Sequence, residues 1–368
     1  MRQKLLSLRQ IAVSVLTIGV FLALHSLNLN AQNSQGDNFV YVMSNKNPGN
    51  SIIQFRRASN GSLTWVREVA TGGNGSGANG ADPLGSQDSL VLGGDGLRLV
   101  AVNAGSNEVS VFGTIAGRLT WLSKSSSGGV FPNSVALSGD LVYVLNKNGA
   151  TPNITGFRLD TSGTLHWIAT VPLPPGSAGA NDVRFSPDGT RLLLTESGTN
   201  EILVFPIASD GVASSPVVQA SAGGSPFGIR FGHDGIVVVS EAAGSASSYR
   251  SGDGDTLEVI SGAVNDTQKA SCWISLTRAT SYAYLSNTGS GTLSSFQVGS
   301  HGELALANAV AANPGGTPID SSLSRDSRFL YVLDSAQGRV RFFAVDGASL
   351  TSLGSVSLPA GIQGIAAQ

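Results

Sequence analysis

DVRFSPDGTRLLLTESGTNEILVFP, residues 182–206, holds three short apolar runs separated by polar turns. Residues 183–186 read as one strand, Pro187-Asp188-Gly189 as a tight turn, residues 191–195 as a second strand and residues 202–206 as a third. A further turn, Ser209-Asp210-Gly211, leads to a fourth strand at residues 215–220. The unit recurs. The aromatic near the end of its third strand is Phe55, Phe112, Phe157, Phe205, Tyr249, Phe296 and Phe343, at intervals of 57, 45, 48, 44, 47 and 47 residues. A period near 47 with four short strands per unit is the pattern of propeller blades. The expected fold is therefore all-β, a seven-bladed β-propeller with four-stranded blades.

The second strand of each unit is the most apolar, as in residues 97–102, 141–145, 236–239 and 329–333, which suits a strand covered on both faces. Turns within strand pairs one–two and three–four are short and share one face of the disc. The other face receives the second-to-third loops and the blade connections, so binding is expected there. Residues 72–85, rich in glycine, read as a flexible rim loop on that face. Trp65, Trp121 and Trp167 recur at one fourth-strand position, and that recurrence reads as interblade packing.

Residues 361–365 look like a first strand with nothing after it, and the repeats begin with a second strand at Phe39. Joining the two completes the first blade from both termini and removes a free sheet edge.

Ahead of the repeats, Arg2, Lys4 and Arg9 precede an apolar run at residues 11–24, with Ala31 at a cleavage-like position. Residues 1–31 read as a removed signal peptide and residues 32–368 as the propeller domain. The protein is then secreted or periplasmic. Cys272 is the single cysteine, so no intrachain disulfide can form, and stability must come from packing a chain that is 41% hydrophobic and 12% charged. A net charge of −2 gives no footprint for nucleic acid or for an anionic membrane.

Several stretches together resemble the lactonase-type seven-bladed propellers, a family that includes bacterial 6-phosphogluconolactonases and fungal carboxymuconate-lactonizing enzymes. They are Ser186-Pro-Asp-Gly189, Pro226-Phe-Gly228, Val239-Ser-Glu241, Cys272-Trp-Ile274, Tyr282-Ala-Tyr-Leu-Ser-Asn287-Thr-Gly289 and Phe329-Leu-Tyr-Val332. The resemblance covers residues 38–368. It implies a trio of histidine, glutamate and arginine on the open face, and blade by blade these fall on Asn181, Glu241 and Lys269. Only the glutamate is kept. An asparagine amide cannot act as a general base, and a lysine cannot make the planar two-pronged contact of an arginine.

Glu241 is thus the candidate catalytic residue, with Asn181, Lys269 and Glu196 as candidate substrate contacts. The position that ends the second strand is polar in every blade (Ser44, Asn103, Asn146, Glu196, Glu241, Asn287, Asp334), a regularity that also suits loop anchoring. No cofactor is expected, although Glu196, Glu241, Asp334 and Asn287 would suit calcium. Two readings follow. One is an exported lactonase-like enzyme that opens or closes the ring of a lactone or organic acid. The other is a non-catalytic propeller that binds a ligand or a protein partner.

Overall fold

The computed structural model describes residues 38–251 and 254–368. The signal peptide expected at residues 1–31 lies outside the described residues. Phe39–Gln368 forms one compact unit, built from seven four-stranded antiparallel sheets. These are numbered here as blades 1 to 7 in the order of their second strands. The innermost strands, in blade order, are Ile365–Ala367, Leu90–Leu92, Val130–Ser138, Ala180–Phe185, Pro226–Phe231, Ser271–Leu276 and Pro318–Leu323.

The second strands behave as their sequence demands. Phe39–Met43 is buried at every position, as are Ile236–Glu241 and Phe329–Asp334, because a neighbouring blade covers each face. All seven repeat aromatics are buried in third strands. Tyrosines of the second strands add polar ties between blades: Tyr143 Oη donates to Gly211 O at 2.8 Å, and Tyr331 Oη donates to Gly61 O at 3.0 Å. Gly61 and Gly211 have φ of 86° and 89°, and a Cβ on Gly211 would sit 2.6 Å from Leu141 of the preceding blade. Glycine is required there by both backbone and space.

The ring closes through both termini. The register is Val40↔Ala367, Tyr41↔Ala366 and Val42↔Ile365, so the closing strand is Ile365–Ala367 rather than residues 361–365. Gln363, just before it, still contributes, accepting at one end and donating at the other as described below.

Two other expectations change. The tryptophans are 58%, 44% and 65% exposed, because blades fan apart with radius and the outer strands lose their neighbours. Trp121 alone reaches the adjoining connection, donating to Thr71 O at 2.8 Å. Residues 72–85 are anchored at both ends. Gly73 and Gly75 pack so tightly against Asn103 and Asn45 that neither has room for a Cβ, and at the far end Leu84 bonds to Gln363 and Lys147.

Candidate functional site

On the open face, the polar residue ending each second strand is spent on its own surroundings. Glu241 is fully buried and accepts from Ser245 Oγ and Ser247 Oγ on the next strand of its blade. It also receives the backbone of Gly223 from the incoming connection; burial raises its carboxyl pKa, and these bonds oppose that. Glu196 is likewise buried and raised by burial; its Oε2 takes a bond from Thr199 Oγ1 at 2.9 Å, while its buried Oε1 has no hydrogen-bond partner. Asn103 donates to Ser110, Asn146 to Ser127 O and Asn153, and Asp334 accepts from Thr317, Gln337 and Arg341. Each side chain ties a loop or blade connection to its strand.

Asn181 is also committed. Its Nδ2 donates to Gly85 O at 2.9 Å and its Oδ1 accepts from Ser197 N at 3.3 Å. Lys269 is the exception, with an exposed side chain on the connection from blade 5 to blade 6. No hydrogen bond or ion pair links any two of Glu241, Asn181, Lys269 and Glu196. Among the described residues, no three His, Cys, Asp or Glu side chains gather as metal ligands. Glu196, Glu241, Asn287 and Asp334 each turn to their own blade's loops.

What Asn181 holds is a plug. Residues 84–89, the end of the connection from blade 1 to blade 2, cross the top of the central channel and bond to four other blades. Leu84 N donates to Gln363 Oε1 at 2.7 Å, and Gln363 Nε2 donates to Ser86 O at 2.8 Å. Ser86 Oγ donates to Asn133 O at 2.7 Å, and Trp273 Nε1 donates to Ser86 O at 2.9 Å. Gln87 pairs with the backbone of Ile274 like a strand neighbour, donating through Nε2 at 2.8 Å and accepting at Oε1 at 3.0 Å. Lys147 Nζ adds a bond to Leu84 O at 2.7 Å, and burial lowers its pKa.

Beneath the plug the channel holds five ionisable side chains, one of them the plug's own Asp88. Arg230 grips Asp88 with both terminal nitrogens, Nη1 to Oδ2 and Nη2 to Oδ1, each at 3.0 Å. Arg184 Nη2 meets Asp88 Oδ2 at 2.7 Å. Asp182 is fully buried, accepting from Ile229 N at 2.8 Å and Ser134 Oγ at 3.3 Å, with Arg230 Nη1 at 3.8 Å. Burial, reinforced by the Asp88 charge, pushes its carboxyl up to about 7. Asp320, also buried, is pushed well above the ordinary carboxylate range for the same two reasons. Burial pushes Asp88 up as well, yet the two guanidiniums outweigh it and hold Asp88 low.

This cluster floors a cavity of about 260 Å³. Its walls include residues near the ends of inner strands, among them Val91, Leu92, Ser275, Leu276, Ser321 and Leu323. Those strand ends adjoin the short first-to-second turns, so the cavity opens on the face opposite the one where binding was expected. The blade connections are indeed longer and more varied, but one of them closes its own side.

The channel residues escaped the sequence reading, although part of the signal was there. Arg184 and Arg230 occupy the same place in consecutive blades, each flanked by apolar residues (Val183-Arg-Phe185, Ile229-Arg-Phe231) in a strand that should be buried. Asp88 left no such trace, because it arrives on a connection. Cys272 is buried, its thiol pushed up to about 12, with Ser240 Oγ donating to its carbonyl.

Solved structures with the same architecture include a candidate 6-phosphogluconolactonase from Bacteroides fragilis, 20% identical, with a TM-score of 0.73 over 91% of this chain and 99% of that one. A counterpart from Bacteroides uniformis is 19% identical over 90% of this chain and 100% of its own, at TM-score 0.73. The periplasmic gluconolactonase of Pseudomonas aeruginosa is 18% identical over 90% and 98%, also at 0.73. At such identities the likeness speaks to the fold. Comparison with curated proteins finds no match. The family model described as "Lactonase, 7-bladed beta-propeller" matches residues 176–361. With half the chain matched and all seven blades closed as that description requires, the protein belongs to the seven-bladed propeller family of lactonases.

Proposed function

We propose that this chain is a ligand-binding member of the family, taking a small organic acid without opening a lactone ring on its open face. The observation that supports this is the plug. Ser86 and Gln87 fill the channel mouth where substrate would enter, and Asn181, at the position of the family's histidine, holds that plug by its Gly85 carbonyl. Glu241 has both carboxylate oxygens bonded to serines of its own blade.

Lactone hydrolysis is the second reading, favoured by family membership, by the burial-raised Glu241 carboxyl and by the open Lys269. One assay separates the two. A panel of five- and six-membered lactones is followed by acid release, for the wild type and for Glu241→Gln. Binding predicts that neither exceeds the buffer rate. Turnover by the wild type that falls ~100-fold or more in Glu241→Gln would establish hydrolysis instead. The same reading has the protein exported, supported by the basic start and the apolar run at residues 11–24. Cell fractionation with N-terminal sequencing tests this, with a new terminus after Ala31 expected and an intact cytosolic chain counting against it.

A further inference from the structure

We infer that the cavity on the short-turn face is a binding site for a small monocarboxylate with an aliphatic body, seated with its carboxylate on Arg184. The inference deepens the binding reading and relies on it only in taking binding as the function.

Three features of the cavity carry it. The first is charge. Its lining has two guanidiniums, Arg184 and Arg230, against one carboxylate, Asp88, an excess of one positive charge. The two remaining acids, Asp182 and Asp320, are fully enclosed behind that floor. Burial drives both toward the neutral form, so the positive excess is largest below pH 7.

The second is an accessible donor. Arg230 has its terminal nitrogens on Asp88 and on Ile229 O and a side chain only 14% exposed, whereas Arg184 uses one terminal nitrogen on Asp88 and keeps 30% of its side chain exposed. The terminal nitrogens of an exposed guanidinium are planar donors suited to a carboxylate.

The third is the wall. Leu90, Val91, Leu276, Leu323 and Ala366 supply apolar surface. The hydroxyls present are already engaged: Ser275 Oγ and Ser321 Oγ bond each other at 2.9 Å, and Ser322 Oγ accepts from Ala367 N at 3.1 Å. The ligand's body therefore finds methyl groups beside the guanidiniums and no free serine hydroxyl. A cation would meet the arginines, and a dianion such as phosphate would carry more charge than the single excess positive charge offsets while facing Asp88. The volume, about 260 Å³, lies just under the range of sites for drug-sized ligands and suits a short chain.

Isothermal titration with hexanoate at low salt tests the site, with hexanamide as the uncharged control and gluconate and inorganic phosphate as hydroxylated and dianionic arms. Hexanoate is expected to bind with a Kd of roughly 1 mM, at least tenfold tighter than hexanamide, phosphate or gluconate. Arg184→Gln, which leaves the two-pronged Arg230–Asp88 pair in place, should weaken hexanoate at least tenfold. Val91→Trp, which fills the cavity and removes no charge, should abolish binding. Equal affinity for hexanoate and hexanamide, no heat with 10 mM hexanoate, or a folded Val91→Trp variant that binds as the wild type does would each overturn the site. If both variants fail to fold, the comparison of hexanoate with hexanamide on the wild type decides alone. Lactone turnover through Glu241 would overturn the binding reading and leave this site standing. Failure of hexanoate to bind would remove the site alone.

Discussion

Trp273, in the innermost strand of blade 6, donates its indole N–H to the carbonyl of Ser86, 187 residues earlier in the chain and 2.9 Å away. Beside it Gln87 satisfies both backbone groups of Ile274. A side chain thus stands in for the strand edge that the narrow channel leaves unpaired, and the blade connection becomes part of the core.

Gln87→Ala should therefore behave as a core mutation. It strands the N–H and C=O of Ile274, each worth about 1–3 kcal/mol when buried and unmet, so a loss of about 2–5 kcal/mol in denaturant unfolding is expected. Hydrogen exchange at the Ile274 amide should accelerate in step. Gly228→Ala should act alike, since its Cβ would overlap Gln87 Oε1. Unchanged exchange at Ile274 would show that the plug bears no weight.

Glu241 is packed where its carboxylate overlaps any Cβ placed on Gly223. Glu241→Gln keeps the shape of the neutral acid that burial favours, so the variant should fold with a melting temperature close to the wild type. Gly223→Ala should be far more damaging, because the strand end and the incoming connection cannot both stay in place. A variant Gly223→Ala that melts normally would mean that Glu241 is free to move, and would reopen the catalytic reading.

Removing residues 363–368 should abolish cooperative unfolding rather than trim a tail. It deletes the innermost strand of blade 1 and the Gln363 bonds to Leu84, Asp82 and Ser86. The plug would lose its anchor as blade 1 loses its inner edge. A truncated protein with an unchanged thermal transition would rule out closure by the C-terminus.

Stability should rise as pH falls from 8 toward 5. Asp182 has a folded pKa of about 7, above its unfolded value, so the folded state holds a proton that the unfolded state releases between those two values. The contribution is fully present below the unfolded pKa and is lost as pH climbs through 7. Asp88, held low by Arg184 and Arg230, acts oppositely, and its contribution is lost as pH falls below the ordinary carboxylate range. Calorimetric scans across this range check the sign. Asp182→Asn should flatten the slope between pH 5 and pH 8, and an equally steep slope in that variant would assign the effect elsewhere.

The blades were legible because their information is local. Runs such as Arg191–Glu196 and Ile236–Glu241, spaced by Gly/Asp turns, specify strand, turn and register within some 47 residues, and seven copies can only stack on one another. The polar ring from Ser44 to Asp334 was legible as a pattern for the same reason. The tertiary structure alone decided which way those side chains turn, which face of the channel stays open, and where the charges meet. Residues 84–89 carry no periodicity. Their place in the channel depends on Asn133, Asn181, Trp273 and Gln363, which lie 47 to 279 residues away along the chain. Asp88 is brought to Arg184 and Arg230 by ring closure, and a repeat cannot announce a contact that exists only once the ring is closed.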